Sequence, residues 1–414
     1  MSPQTGIYLA LYFAGITAVL ALLLTPLCMR AARRCGAIDV PGERSLHKNP
    51  VPLLGGVAIV GSLSLVVWFH LAGAALMRAK PEFLQLFTAD LQGSVQGWSG
   101  NEFRLGVVFI GGALIAALGL IDDLKGLTVR QRIYPQFAIA ALVVALGIRP
   151  ELGFFPAWLT FIIAVVWLVG ITNAFNLIDG ADGLAAGLAA ISAFLLGITM
   201  LLAGHAASAS LFFAIGGACC GFLVFNWHPA KVFMGSAGSL FLGYTLGATT
   251  MVATFMSEGT VWLFPLLIPV LAFAVPLYDT ASVILIRAGV RASIFAGDQR
   301  HFHHRLMQIG FSHRQCVVFM YLLAMAFGTS AVLISKSNML QDVILMIQAA
   351  ILVGVIVLME RVVNRVAAKQ PAPLEERLES SIPSPPAAMP PSAAEVRTAA
   401  LVAEIGQAEA KGRS

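Results

Sequence analysis

Long apolar runs separated by short polar loops set the plan of this chain. Eleven stretches carry the pattern: 7–29, 52–77, 105–121, 133–148, 157–175, 184–203, 206–227, 237–256, 260–286, 315–335 and 340–359. A span needs about 20 apolar residues to cross a ~30 Å hydrocarbon core. The fourth run is short and can sit partly in the interface. Lipid offers backbone N–H and C=O groups no partner, so each run is expected to be helical. The prediction is an all-α, polytopic integral membrane helical bundle of about eleven transmembrane helices (10–11). The first run is not expected to be a cleavable signal peptide, because nothing basic precedes it while Arg30, Arg33 and Arg34 follow it.

Composition agrees. Of 414 residues, 58% are apolar and 11% charged, with a mean hydropathy of +0.84. Soluble domains run at roughly 45–50% apolar and about 25% charged, so a soluble enzyme, a disordered chain and a fibre are excluded. The net charge of +5 is too small to argue for nucleic acid, but the placement of the cations is informative. Loops on the side where the first run ends hold 14 Lys and Arg, and the opposite loops hold 5. The positive-inside rule then puts the N-terminus outside and the C-terminus in the cytoplasm. Five cysteines lie mostly in or beside apolar runs without a CxxC pair. Small buried hydrophobes describe them better than a disulfide or metal set. Residues 1–360 are expected to form the transmembrane domain. Residues 361–414 read as a Pro-rich, largely disordered cytoplasmic tail in which Ser392 to Glu395 form a capping box for a short helix to about Ala408.

The carboxylates avoid the bilayer centre, where an Asp costs at least ~2.5 kcal/mol. Asp122 and Asp123 end the third run, Asp179 and Asp182 lie between the fifth and sixth, Asp298 follows the ninth, and Asp279 is near the ninth's cytoplasmic end. All are on one side, in short loops beside apolar walls. Adjacent carboxylates suit Mg²⁺, which is often shared between one or two carboxylates and substrate phosphates. Lys125, Arg130, Arg132 and Lys231 nearby suit the phosphates. No Walker or GxGxxG sequence is present. The loop Asp298-Gln-Arg-His301-Phe-His303-His304-Arg305 reads as a phosphate-binding cluster at the membrane face, with zinc as the weaker alternative because no Cys is near. In the first cytoplasmic loop, Pro41, Pro50 and Pro52 stiffen the chain, and Gly55-Gly56 lets it enter a helix at close quarters.

Five segments occur together in order: His47…Pro52-Leu-Leu-Gly55-Gly56, Asp122-Asp123, Asn173-Ala-Phe-Asn176-Leu-Ile-Asp179-Gly-Ala-Asp182-Gly183, Phe225-Asn226…Pro229-Ala-Lys231-Val-Phe-Met-Gly235, and His301-Phe-His303-His304-Arg305. On these the chain resembles the polyprenyl-phosphate N-acetylhexosamine-1-phosphate transferases (MraY/WecA-like), and the HxHHR form looks more like the WecA-type branch. The resemblance runs from about Asp39 to Gly310. It implies transfer of an N-acetylhexosamine-1-phosphate, GlcNAc-1-phosphate first, from a UDP-sugar to undecaprenyl phosphate. UMP is released, and the product starts a cell-surface polysaccharide. It also implies a multi-pass protein of the bacterial inner membrane, an active site on the cytoplasmic face, Mg²⁺ (or Mn²⁺) as cofactor and, as an open option, a homodimer.

By motif match, Asp122 and Asp123 would orient or deprotonate the lipid phosphate and help hold the metal–phosphate unit. Asn176 would ligate the metal, with Asp179 and Asp182 close by at nucleotide and metal. Arg132 and Arg305 would bind phosphate oxygens or the acetamido side, while His301, His303 and His304 close over the diphosphate. Lys231, His47 and Asn173 complete the substrate-binding set. One position departs from the family: a metal-ligand Asp is expected where this chain has Ser236. That keeps a second reading open, an impaired member that binds and assembles rather than catalyses. Transport is a third, disfavoured because transporter sites lie near the midplane.

Overall fold

The computed structural model describes residues 3–41, 49–87, 92, 95, 98, 101–150, 155–253, 263–289, 301–334 and 339–367. Within these residues each expected run is helical, the ninth as two helices. In order they are α1 (Pro3–Cys35), α2 (Gly55–Ala79), α3 (Glu102–Lys125), α4 (Val129–Ala145), α5 (Ala157–Ile178), α6 (Leu184–Leu202), α7 (Ala206–Asn226), α8 (Gly235–Val252), α9 (Leu263–Ala272), α10 (Ala274–Gly289), α11 (Phe302–Gln308), α12 (His313–Ile334) and α13 (Met339–Ala367). The helices through Arg361 make one compact unit. His47, Asp298 and the tail beyond 367 lie outside the described residues.

Eight of these helices are long and apolar enough to span a membrane, and nine if the bent pair α9–α10 counts as one. The sequence reading expected about eleven, and the difference has two physical sources. Helix α4 is only 17 residues. Helix α8 is rich in Gly, Ser and Thr because it packs against α2, α3 and α5 and buries every residue from Ala237 to Met251. A helix enclosed by helices gains from small residues that permit close approach, not from apolar bulk. The lipid-facing helices show the opposite pattern, with Leu11 66%, Phe69 72% and Trp158 65% exposed.

The ninth run is broken by 77° between Ala272 and Ala274. Pro276 has no N–H to return to the carbonyl four residues earlier, and Pro269 sits inside α9, so the helix ladder is weakest here. The break turns α10 away from α9's direction and leaves Asp279 on it fully buried.

Between α1 and α2 a short antiparallel pair, β1 (Ile38–Asp39) and β2 (Val51–Pro52), carries the extended path expected from the prolines. The chain continues along the segment before α8: the Phe233 N–H donates to Pro52 O (2.8 Å), Gly55 N–H to Phe233 O (3.0 Å), and Gly56 N–H to Met234 O (2.9 Å). A Cβ on Gly56 would sit 2.3 Å from Gly238 Cα, so only glycine permits this crossing. Gly56→Ala is therefore expected to destabilise by about 1–3 kcal/mol through overpacking. Gly73→Ala on the same helix meets nothing within 4 Å and serves as the control. Thermal unfolding of both variants in detergent checks this, and equal midpoints would remove the crossing from the account.

Candidate active site

The turn after α3 is built to hold one carboxylate. The helix ends at Gly126 in a left-handed C-cap, with Gly126 N–H donating to Asp122 O. Leu127 N–H then donates to Asp122 Oδ1 (3.0 Å). Thr128 and Gln131 form a capping box that starts α4, which sets Arg132 on its first turn. Arg132 Nη1 reaches Asp122 Oδ2 at 3.1 Å. Both side chains are mostly buried, so this ion pair is less screened than a surface one.

Asp123 faces the N-terminus of the central helix. Its Oδ1 accepts from Ser236 N–H (2.7 Å) and its Oδ2 from Ala237 N–H (3.0 Å), while Ser236 Oγ donates to Asp122 Oδ2 (2.8 Å). Thus α3 supplies the carboxylate that caps α8, satisfying two of its orphan N–H groups and complementing its dipole. The approach depends on Gly235: its φ is +70°, and a Cβ there would lie 2.6 Å from Asp123 Oδ2. Ser236, where the resemblance leads one to expect a carboxylate, therefore lies against both members of the acidic pair.

A cavity of about 600 Å³ opens beside this cluster. Its walls include Leu53 from the first loop, Asp179 to Asp182 after α5, His228 and Phe233 before α8, and His304 and His313. Asp182 is fixed by His228 Nδ1 (2.7 Å) and by Ala230 N–H (3.1 Å), both on Oδ2. His228 and His313 stack at 4.3 Å. Asn226 closes the wall, accepting from Gly183 N–H and donating to Val232 O. The crowding around Asp179 pushes its carboxyl well above the usual range, and the negative charges of Asp123 and Asp182 push it further.

Helix α11 brings in the imidazoles. His303 is 1% exposed, packs against Gly180, and has no hydrogen-bond partner on either ring nitrogen among the described residues. Burial, helped by neighbouring His304, lowers its pKa to about 3, so it is neutral at physiological pH. His301, His303 and His304 form a row, with ring centroids 5.9 Å and 4.1 Å apart. Arg305 turns toward α10 and donates to Ser282 Oγ (2.6 Å).

The structure thus joins Asp122, Asp123, Arg132 and Ser236 in one network, and lines the adjoining cavity with Asp179, Asp182 and His304. Asn176 is tied to α8: its Nδ2 donates to Ser239 Oγ (2.9 Å), which leaves the amide oxygen as an acceptor. His301 and His303 are buried behind the cavity wall, and three more expected residues fall elsewhere. Asn173 donates to Gln136 Oε1 and Val169 O inside the bundle. The Lys231 side chain is exposed and off the cavity wall. Arg305 faces Ser282. Sequence reasoning did not single out His228 and His313. The signal was present, because six of the eight histidines lie on the side that the cation placement reads as cytoplasmic and only His70 and His205 on the other.

Two donor sets could hold a cation. Asp123, Asp179 and Asp182 repel one another, and Asn176 adds a neutral oxygen. A divalent ion would offset that repulsion and hard oxygens suit Mg²⁺ in kind, but among the described residues these three carboxylates do not gather their ligand atoms within 4.8 Å. Asp182, His228 and His313 place ligand atoms within 4.8 Å of one another, but the Asp182 oxygen nearest His228 already accepts two hydrogen bonds.

Comparison with known proteins gives the same direction. The profile of Glycosyl transferase family 4 matches residues 105–255, from α3 through α8. A Bacillus subtilis protein named probable undecaprenyl-phosphate N-acetylglucosaminyl 1-phosphate transferase is 32% identical over 331 residues, covering 78% of this chain and 84% of its own. A Mycolicibacterium smegmatis decaprenyl-phosphate N-acetylglucosaminephosphotransferase is 32% identical over 350 residues, 78% of this chain and 82% of its own. The Escherichia coli K12 undecaprenyl-phosphate alpha-N-acetylglucosaminyl 1-phosphate transferase is 27% identical over 329 residues, 77% and 82%. With the acidic pair, the capped central helix and the imidazole row all present in a multi-pass membrane bundle, the chain belongs to the polyprenyl-phosphate sugar-1-phosphate transferases of Glycosyl transferase family 4.

Proposed function

We propose that this enzyme transfers N-acetylglucosamine-1-phosphate from a UDP donor to undecaprenyl phosphate at the cytoplasmic face of a bacterial inner membrane. The observation that carries the reading is the junction of the Asp122–Ser236–Asp123 network with the cavity, at the ends of α3, α5 and α8. A lipid phosphate stays at span ends, and a nucleotide arrives from water, so a site shared by both belongs at this level. The lipid phosphate oxygen attacks the β-phosphorus of the donor. A new P–O bond forms, the bond to the α-phosphate bridge breaks, and UMP leaves.

Both reactants are anions, and the residues divide the task of bringing them together. Arg132 is held by Asp122 at the edge of the network and supplies a fixed positive charge to the incoming phosphate. Asp122 and Asp123 accept or hold the proton of a monoprotonated lipid phosphate. His303, neutral and without a hydrogen-bond partner among the described residues, offers a lone pair and an N–H to the diphosphate rather than a charge. Asn176, Asp179 and Asp123 would hold Mg²⁺, which when bound supplies charge neutralisation on the phosphates. Water is restricted by the Leu53–Phe233 wall.

The rival is an impaired member, favoured by Ser236 and by the long tail. Release of UMP from UDP-N-acetylglucosamine by purified protein with undecaprenyl phosphate and Mg²⁺ separates the two. Turnover is expected, and its absence with this and related UDP-sugars would sink the enzymatic reading. Sidedness has its own check. A cysteine placed at Gln299 should be shielded from an impermeant thiol reagent in intact cells and reactive in inverted vesicles. The native exposed Cys35 and Cys220 must first be replaced. Labelling from outside would put the site on the wrong face.

A further inference from the structure

Asp279 is not used by the site described above. It is 0% exposed on α10, the second half of the broken span, and it does not line the cavity. A buried carboxylate is costly unless its oxygens are satisfied. Here both are taken by the segment that opens α11: Oδ2 pairs with His301 Nδ1 (2.8 Å) and Oδ1 accepts the Phe302 N–H (2.5 Å). The same turn of α10 is tied again, because Ser282 Oγ donates to Asp279 O (2.9 Å) and accepts from Arg305. One carboxylate therefore fixes both the ring of His301 and the first N–H of the helix that carries the buried His303 and, on the cavity wall, His304.

We infer that Asp279 is a positioning residue of the transfer site: it holds His301 as the Nδ1–H tautomer and seats the start of α11, so that the imidazole row meets the donor in register. With Nδ1 committed to the carboxylate, Nε2 is the nitrogen left to accept or pass a proton. A carboxylate behind a histidine sets which nitrogen acts and where the ring points. The broken span gives a reason for the arrangement. The 77° bend turns α10 away from α9's direction, and Asp279 with Ser282 ties that half-helix to the His-containing segment. This inference rests on the transferase reading for its catalytic arm and on the geometry alone for its structural arm.

Asp279→Asn separates tautomer control from simple anchoring. Its amide oxygen can still accept the Phe302 N–H, but its NH₂ group now meets His301 Nδ1 and forces the ring into the Nε2–H form. The expected result is a kcat for UMP release lowered at least tenfold, with the KM for UDP-N-acetylglucosamine within about threefold. The same change made on His301→Ala should cost little more. Full kcat in Asp279→Asn, or an equal fold loss on both backgrounds, overturns the proposal. If Asp279→Asn does not fold, His301→Asn is the second variant. It keeps an N–H toward Asp279 and deletes Nε2, so retained activity there overturns the proposal and lost activity supports it. If the wild-type protein releases no UMP, the transferase reading fails and this one is still read directly. Nitrogen NMR of histidine-labelled protein, with the His301 signals assigned by difference, should show the Nδ1–H form in wild type and the Nε2–H form in Asp279→Asn. An Nε2–H ring in wild type overturns it.

Discussion

Replacing Asp122 or Asp123 with Asn is expected to lower UMP release by on the order of a hundredfold or more per folded molecule, which is several kcal/mol of transition-state stabilisation. The two losses should differ in kind. Asp122 holds Arg132 and receives the Ser236 hydroxyl. Its amide would turn an NH₂ group toward either the guanidinium or the Leu127 N–H, so the arginine loses its fixed position and activity falls with modest cost to the fold. Asp123 accepts two N–H groups of α8 through two oxygens. An amide has one oxygen, so one buried donor is left facing another donor, at a further cost of about 1–3 kcal/mol in stability. The Lys and Arg residues that direct insertion are unchanged in both variants, so insertion is expected to be untouched. The capping geometry adds a stability loss specific to Asp123. Activity therefore has to be normalised to folded protein, with unfolding midpoints measured beside it. An active Asp122→Asn, Asp123→Asn double variant would reduce the pair to a structural cap.

The parts of this molecule visible in the sequence are those set by local chemistry. Apolar runs announce helices because lipid leaves the backbone no other solution, and the short acidic loops announce a site because bilayer-depth carboxylates are costly. The extended Pro52–Gly56 path and its glycine crossing also follow from residue types alone. What stayed hidden depends on distant partners. Asp123 reads as a metal-site carboxylate, and nothing near it in sequence says that it caps a helix 113 positions away. His228 and His313 read as loop residues until Asp182 brings them together. Arg305 looks like a phosphate ligand by motif, yet its strong contact is with Ser282. Helix α8 appears as an ordinary span, and only its enclosure explains why it is poor in large apolar residues. Pro269 and Pro276 mark the break at Phe273, but the apolar run 260–286 carries no polar residue at the bend itself.

Ser236→Asp should change the response of both stability and activity to Mg²⁺. In the present protein the Ser236 hydroxyl donates to Asp122 while its N–H donates to Asp123. A carboxylate at this position loses the donor and adds a third negative charge beside two others, with Asp179 already pushed well above its usual range by burial and by its charged neighbours. In the absence of a divalent ion the variant should therefore unfold at a lower temperature than wild type, because like charges are brought together away from bulk water. Adding Mg²⁺ should reverse the order of effects. A ligand that binds only the folded state stabilises by about 2.7 kcal/mol at a hundred times its dissociation constant, and the added carboxylate lowers that constant. The Mg²⁺-induced rise in midpoint should be larger in Ser236→Asp than in wild type, and the Mg²⁺ concentration for half-maximal UMP release should fall. Wild type should still turn over at higher Mg²⁺, with Asn176, Asp179 and Asp123 providing the oxygens. Parallel titrations of unfolding midpoint and UMP release decide the matter. If the variant is destabilised equally with and without Mg²⁺, position 236 is a cap for the acidic pair and takes no part in holding the ion.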